Sequence, residues 1–139
     1  MKITDLPTIT SKDNPGLKRA RAVRDGRDKG AIFVEGVRLV TELDRSQLDM
    51  ISVFVSDDFH QNNRELITKL IKASTTPIHA VTSKVLDSIA DTKNSQGIVA
   101  LAERPQRRDL RAEVAGNGLY VFLNQVNNPS NLGAVIRTA

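Results

Sequence analysis

Ala31-Ile32-Phe33-Val34-Glu35-Gly36-Val37-Arg38-Leu39-Val40-Thr41-Glu42-Leu43 decides the fold. Its first four residues form an uninterrupted apolar run, as expected of a strand buried on both faces. Gly36 breaks the run. Val37, Leu39, Val40 and Leu43 then recur at helical spacing with polar residues between them, which predicts a helix of about two turns. A buried strand that passes straight into an amphipathic helix is the unit of a layered α/β fold.

The pattern repeats towards the C-terminus. Met50-Ile51-Ser52-Val53-Phe54-Val55 predicts a second strand, Leu66, Ile67, Leu70 and Ile71 a helix, and Pro77-Ile78-His79-Ala80-Val81 a third strand. Thr82-Ser83 caps a further helix with Val85, Leu86 and Ile89 on its apolar face, and Gly97-Ile98-Val99-Ala100-Leu101-Ala102 is the fourth strand. The expectation is an α/β sandwich over residues 30–103 with a mostly parallel central sheet. Asp57-Asp58 reads as a solvated turn, and His60 and His79, which lack metal-ligand spacing, as ordinary surface or core residues.

Upstream, residues 1–13 read as an irregular lead-in. Asn14 and Pro15 open a helix whose apolar positions are Leu17, Ala20 and Val23, and Gly26 ends it. Residues 1–29 carry eight basic side chains against four acidic ones, so the net +4 of the whole chain resides there. Lys18, Arg19, Arg21, Arg24 and Arg27 are the candidate polyanion-binding residues of this arm. Charge alone leaves two readings open, a polyanion partner held by counterion release and a merely solvated helix face.

Downstream, residues 104–117 read as a charged, proline-bearing linker, with a weakly helical stretch from Leu110 to Ala115 and a turn at Gly116-Asn117-Gly118. Residues 118–139 begin something new: a strand at Leu119-Tyr120-Val121-Phe122-Leu123, a polar loop, and a helix capped by Ser130 or Asn131. One strand and part of a helix cannot bury their own apolar faces, and Ala139 falls in mid-helix, so the expectation is a second domain cut short. The chain has no cysteine, which excludes disulfides, thiolate zinc sites and cysteine nucleophiles. No metal site is expected. No apolar run spans a bilayer and no signal peptide leads the chain, so a soluble cytoplasmic protein is the default expectation.

The loop before the last helix, Asn128-Pro129-x-Asn131-x-Gly133-x-x-x-Arg137-x-Ala139, lies where open α/β sheets place ligands. It resembles the first signature motif of the SpoU family of RNA 2′-O-ribose methyltransferases, many of which carry aspartate at the place of Asn128. Phe33-Val34-Glu35-Gly36-Val37-Arg38-Leu39-Val40-Thr41-Glu42 resembles the opening of the substrate-binding domain of those enzymes, and Gln96-Gly97-Ile98-Val99-Ala100 its end.

The resemblance implies a three-layer domain like that of ribosomal proteins that bind kinked RNA, followed by the truncated start of a trefoil-knot (SPOUT) α/β domain. It implies methyl transfer from S-adenosylmethionine to a ribose 2′-hydroxyl of RNA, ribosomal in the first instance. It also implies a homodimer built through the C-terminal domain, leaving the fragment free to be monomeric. Asn131 and Arg137 take the catalytic positions. Arg137 either activates the 2′-hydroxyl or holds the adjacent phosphate; a guanidinium keeps its proton in ordinary surroundings, which favours the phosphate clamp. The cofactor pocket belongs to later motifs, so no cofactor-binding residue is expected here, and the fragment alone is expected to be inactive. Glu35 could reach RNA or a partner domain, but a cap on the following helix is its expected role. The rival functions are a stand-alone kink-turn-type RNA-binding module and, less favoured for want of a glycine-rich phosphate loop after the first strand, a small-molecule-binding domain.

Overall fold

A computed structural model describes residues 6–46, 48–73, 76–106 and 119–138. The chain divides into two compact units, residues 1–105 and 106–139. The predicted helix at 110–115 and turn at 116–118 lie outside the described residues.

Among its described residues the first unit holds five strands and five helices in the order β1 (Thr8–Ile9), α1 (Pro15–Arg24), β2 (Ala31–Glu35), α2 (Val37–Arg45), β3 (Met50–Ser56), α3 (Asp57–Asn62), α4 (Arg64–Ala73), β4 (Ile78–Val81), α5 (Ser83–Asp87) and β5 (Ile98–Glu103). The sheet order is β1-β4-β3-β5-β2. β1, β4 and β3 run parallel, whereas β5 is antiparallel to both of its neighbours, β3 and β2. The expectation of a mostly parallel sheet is therefore corrected: two of the four pairings are antiparallel. Alternating strands and helices report how the layers stack. They do not report where the last strand inserts, and β5 enters between β3 and β2 with the opposite direction.

Strand pleating sends successive side chains to opposite faces, and both faces are covered. Phe54, Val99, Leu101 and Val81 pack on one side against Leu17, Ala20 and Val23 of α1 and Val85 and Leu86 of α5. Val53, Val55, Ile98, Ala100 and Ala102 pack on the other against Val40 and Leu43 of α2, Phe59 of α3, and Ile67 and Leu70 of α4. This is the three-layer α/β sandwich expected from the uninterrupted apolar runs. Each large side chain so buried contributes roughly 1.5–3 kcal/mol.

Local signals set the helix boundaries. The Asn14 side chain accepts the Gly16 N–H at 2.8 Å with Pro15 in the first turn of α1. The chain leaves α1 through Gly26 at φ +72°, whose N–H bonds the Val23 carbonyl. Thr82 caps α5 through its hydroxyl. Two elements depart from expectation. Asp57-Asp58 forms the first turn of α3, capped by the buried Ser56 hydroxyl at 3.3 Å from the Phe59 N; two acids suit a helix N-terminus as well as a turn. The lead-in contains β1, a two-residue strand that exists only because β4 pairs with it.

The second unit contains α6 (Pro129–Thr138) among its described residues. Leu119–Leu123, expected as a strand, belongs to no strand among the described residues, and its side chains are exposed, Leu119 at 95% and Phe122 at 90%. An apolar run becomes a strand only when a neighbour takes its backbone hydrogen bonds. The cap of α6 is Asn128, whose Oδ1 accepts the Ser130 N–H at 2.8 Å, rather than Ser130 or Asn131, because Pro129 already occupies the first helical position.

Candidate functional site

β2 ends at Glu35, and Gly36 then takes φ +93°, a left-handed conformation open to glycine. As the residue before α2, Gly36 has no side chain to satisfy the free N–H groups of the first turn. Gln96 supplies the acceptor: its Oε1 takes the Val37 N–H at 2.9 Å. A Cβ on Gly36 would lie 2.9 Å from that same oxygen, so the glycine makes the approach possible. The Gly36 N–H bonds the Ile98 carbonyl at 3.0 Å.

Glu35 does not cap α2, contrary to expectation. Its carboxylate turns to the loop after α5, where Oε2 accepts the N–H of Asp91 at 2.7 Å and of Thr92 at 3.3 Å, and Oε1 accepts the Thr92 hydroxyl at 2.5 Å. Burial works against its ionisation, but the Thr92 hydroxyl and the two backbone N–H groups outweigh burial and hold the carboxyl below the ordinary glutamate range.

Together these contacts shape a cleft of about 470 Å³ between the start of α2 and the 92–96 loop. Arg38 and Leu39 flank it on the helix side, Lys93 and Asn94 on the loop side, all exposed, with Leu39 57% accessible. The backbone N–H groups of Arg38 and Leu39 find no acceptor among the described residues. Two cations, a helix N-terminus and an apolar side chain therefore face the same opening, while the one carboxylate has its charge taken up by internal donors. Such a surface favours an anion that also offers apolar area.

The basic arm lies on α1 and the turn after it, and all five of its candidate residues have partners. Lys18 meets Asp13 at 3.2 Å, Arg19 meets Asp28 at 3.2 Å, and Arg27 meets Asp25 at 2.8 Å. Arg27 first and Arg24 second hold the Asp25 carboxyl below its ordinary range; the Gly30 N–H and then Arg19 do the same for Asp28. These ion pairs are solvent-facing, and each is worth little in water. Arg21 donates to the Lys12 carbonyl at 2.7 Å. The Arg24 side chain is only 22% exposed, and it donates to the carbonyls of Ala90 at 3.0 Å and Ser88 at 3.4 Å. The segment 88–92 is thus gripped twice: Arg24 holds the Ala90 carbonyl, and Glu35 holds the next N–H, that of Asp91. The arm and the cleft share one loop.

In the second unit, no hydrogen bond joins Asn131 to Arg137 among the described residues. The Arg137 guanidinium folds back along α6 until Nη1 lies 3.2 Å from where a Gly133 Cβ would stand. What the missing side chain at Gly133 admits is therefore Arg137 itself. Asn131 and Arg137 are both exposed.

Sequence reasoning missed Arg38, Lys93, Asn94 and Gln96. Three of them sit in a polar loop without periodicity, and the signal that was present, a Gly-terminated strand with no residue to cap the next helix, does not say which distant residue supplies the cap.

A family model described as RNA 2′-O ribose methyltransferase substrate binding matches residues 33–108. An uncharacterised tRNA/rRNA methyltransferase of Synechocystis sp. is 26% identical over 139 residues, covering 98% of this chain and 50% of its own length. The chain therefore spans about half the length of the curated relative it matches. Among solved structures, an RNA 2′-O ribose methyltransferase is similar with a TM-score of 0.64 at 24% identity, over 94% of this chain and 50% of that one. An rRNA methyltransferase from Sinorhizobium meliloti is similar with a TM-score of 0.58 at 22% identity, over 73% of this chain and 38% of that one, and its AdoMet-bound form gives the same values.

Proposed function

Because the chain belongs to the family of RNA 2′-O ribose methyltransferases, through the substrate-binding domain at residues 33–108, we propose that it captures structured RNA for methylation of a ribose 2′-hydroxyl. The single observation that carries this reading is the cleft at the start of α2, where Arg38, Lys93 and two free backbone N–H groups face one opening beside the exposed Leu39. Phosphate contacts position an RNA without reading its sequence, and the chain has few aromatic side chains, 4% of residues, for stacking on unpaired bases. A folded RNA backbone is the better partner. Lys18, Arg19 and Arg27 extend the phosphate-binding surface by exchanging exposed intramolecular carboxylates for phosphates. Arg21, which donates to the Ser88 hydroxyl at 3.5 Å, and Arg24, which donates to the Ser88 and Ala90 carbonyls, contribute chiefly by holding the 88–90 segment.

S-adenosylmethionine supplies the methyl group in this reading. Of the described residues 119–138, only Gly133 and Val135 are even half-buried. In this reading the stretch serves the RNA side of the reaction, through Asn131 and Arg137. Asn131 and Arg137 face the ribose. Arg137, permanently charged and folded back towards the N-terminus of α6, clamps a phosphate beside the target nucleotide rather than removing a proton. Ribosomal RNA is the substrate that the rRNA methyltransferase relative suggests, and the active form is a homodimer.

The test is methyl transfer from tritiated S-adenosylmethionine to ribosomal RNA from cells lacking this gene, using the protein expressed from its complete gene. Label recovered in a 2′-O-methyl nucleoside is expected. Label on a base, or none on RNA, would overturn the reading.

A further inference from the structure

A carboxylate at the edge of a phosphate-binding cleft is an apparent fault, since its charge repels the RNA. Glu35 occupies that place, and its contacts explain why it is there. We infer that Glu35 is a positioning residue for RNA capture: it latches the 91–96 loop into its RNA-binding shape, so that removing its negative charge weakens RNA binding instead of strengthening it. The inference rests on the cleft being the RNA site.

Residues 91–97 contain no helix or strand. Their shape comes from bonds at the two ends. At one end Glu35 takes the N–H groups of Asp91 and Thr92 and the Thr92 hydroxyl, and at the other Gln96 caps Val37 while Gly36 bonds Ile98. Three consecutive residues, Glu35, Gly36 and Val37, thus hold both ends of the loop. Between those ends stand Lys93 and Asn94, the rim residues, with no internal partner of their own among the described residues. A loop fixed in advance binds better than one that must be ordered by its ligand, because the ordering entropy is already spent in folding.

Charge and shape make opposite predictions at this position. By Coulomb's law, Glu35→Gln brings one less negative charge to a polyanion and should tighten binding. By the latch, the glutamine amide loses the charge that holds three donors and cannot accept from all of them, so the loop loosens. Lost bonds to a charged acceptor predict an affinity loss of roughly tenfold or more. The number of cations meeting phosphate does not change, so the slope of log affinity against log salt stays the same.

The experiment compares wild type, Glu35→Gln and Thr92→Val. The second variant keeps the charge and nearly the shape while removing only the hydroxyl donor, and serves if Glu35→Gln folds poorly. Amide hydrogen exchange is followed at Asp91 and Thr92, and filter binding is measured with an RNA hairpin carrying an asymmetric internal loop, at several salt concentrations. Faster exchange at those two amides, weaker binding and an unchanged salt slope are expected, with Thr92→Val showing the smaller effect. Equal or tighter binding by Glu35→Gln overturns the inference, as does unchanged exchange at Asp91 and Thr92. An Arg38→Ala/Lys93→Ala double variant that binds the hairpin like wild type overturns the RNA-site reading itself, and the latch role with it.

Discussion

Gln96 caps a helix that begins 59 positions earlier in the sequence: its side-chain carbonyl accepts the Val37 N–H at 2.9 Å. The bond does two things at once. It satisfies an orphan donor of α2, and it fixes the end of the loop whose other residues rim the cleft.

Replacing Gln96 separates those roles. Gln96→Ala should lower stability by about 1 kcal/mol, the usual cost of a lost N-terminal cap, and a urea titration would read it. Gln96→Glu keeps the acceptor and places a negative charge at a helix N-terminus, so stability should return to wild type or above it. RNA affinity should nonetheless fall, because that charge faces the cleft. If Gln96→Glu is as unstable as Gln96→Ala, the bond is not a cap.

The two arginines that share Asp25 should behave differently. Arg24→Ala strips donors from the carbonyls of Ser88 and Ala90 and should cost about 1–3 kcal/mol, the penalty for leaving partly buried acceptors unpaired. Arg27, 68% exposed, should leave the unfolding midpoint unchanged on replacement by alanine. The same Arg27→Ala change should weaken RNA binding and reduce the salt slope by roughly one unit. Equal midpoints for the two variants would show that Arg24 is no clamp.

His79 stacks on Phe54 with ring centroids 5.7 Å apart, and its buried Nδ1 has no protein partner among the described residues. Burial pushes its pKa below the ordinary value of 6.5. The folded state therefore binds fewer protons than the unfolded state between the depressed value and 6.5. Stability is present in full above pH 6.5 and falls as the pH drops through that window. His79→Phe should abolish this acid sensitivity and match or exceed wild-type stability at pH 5. Denaturant midpoints at pH 7.5 and pH 5 decide it; an identical acid loss in both proteins would place the sensitivity elsewhere.

The four long strands were legible in the sequence because Val53-Phe54-Val55 and Ile98 to Ala102 are apolar on both faces, a pattern only a covered sheet needs. Helices α1, α2 and α5 were legible through Pro15, the spacing of Val37, Val40 and Leu43, and Thr82. Strand direction was not, since nothing in the apolar run of β5 says whether it pairs parallel or antiparallel. Thr8–Ile9 was invisible because two residues carry no period and become a strand only against Ala80 and Val81. The candidate site was half legible. Glu35 and Gly36 stood out as the end of a strand, yet the partners of Glu35 and Val37 lie more than 50 residues away in a polar loop, and a contact of that kind has no local signature. Local logic assigned the cap to Glu35, whereas the fold gave it to Gln96 and freed Glu35 to hold the loop.

The most direct test of the account is the salt dependence of RNA binding by this chain with and without the two cleft cations. Wild type and Arg38→Ala/Lys93→Ala should share one unfolding midpoint, since both side chains are exposed. The double variant should bind the RNA hairpin more weakly at every salt concentration, and its log–log slope should be shallower by roughly 1.5–2 units, one phosphate contact per lost cation. Parallel lines with equal affinities would contradict the account, because RNA would then be held somewhere other than the cleft built by Glu35, Gly36 and Gln96.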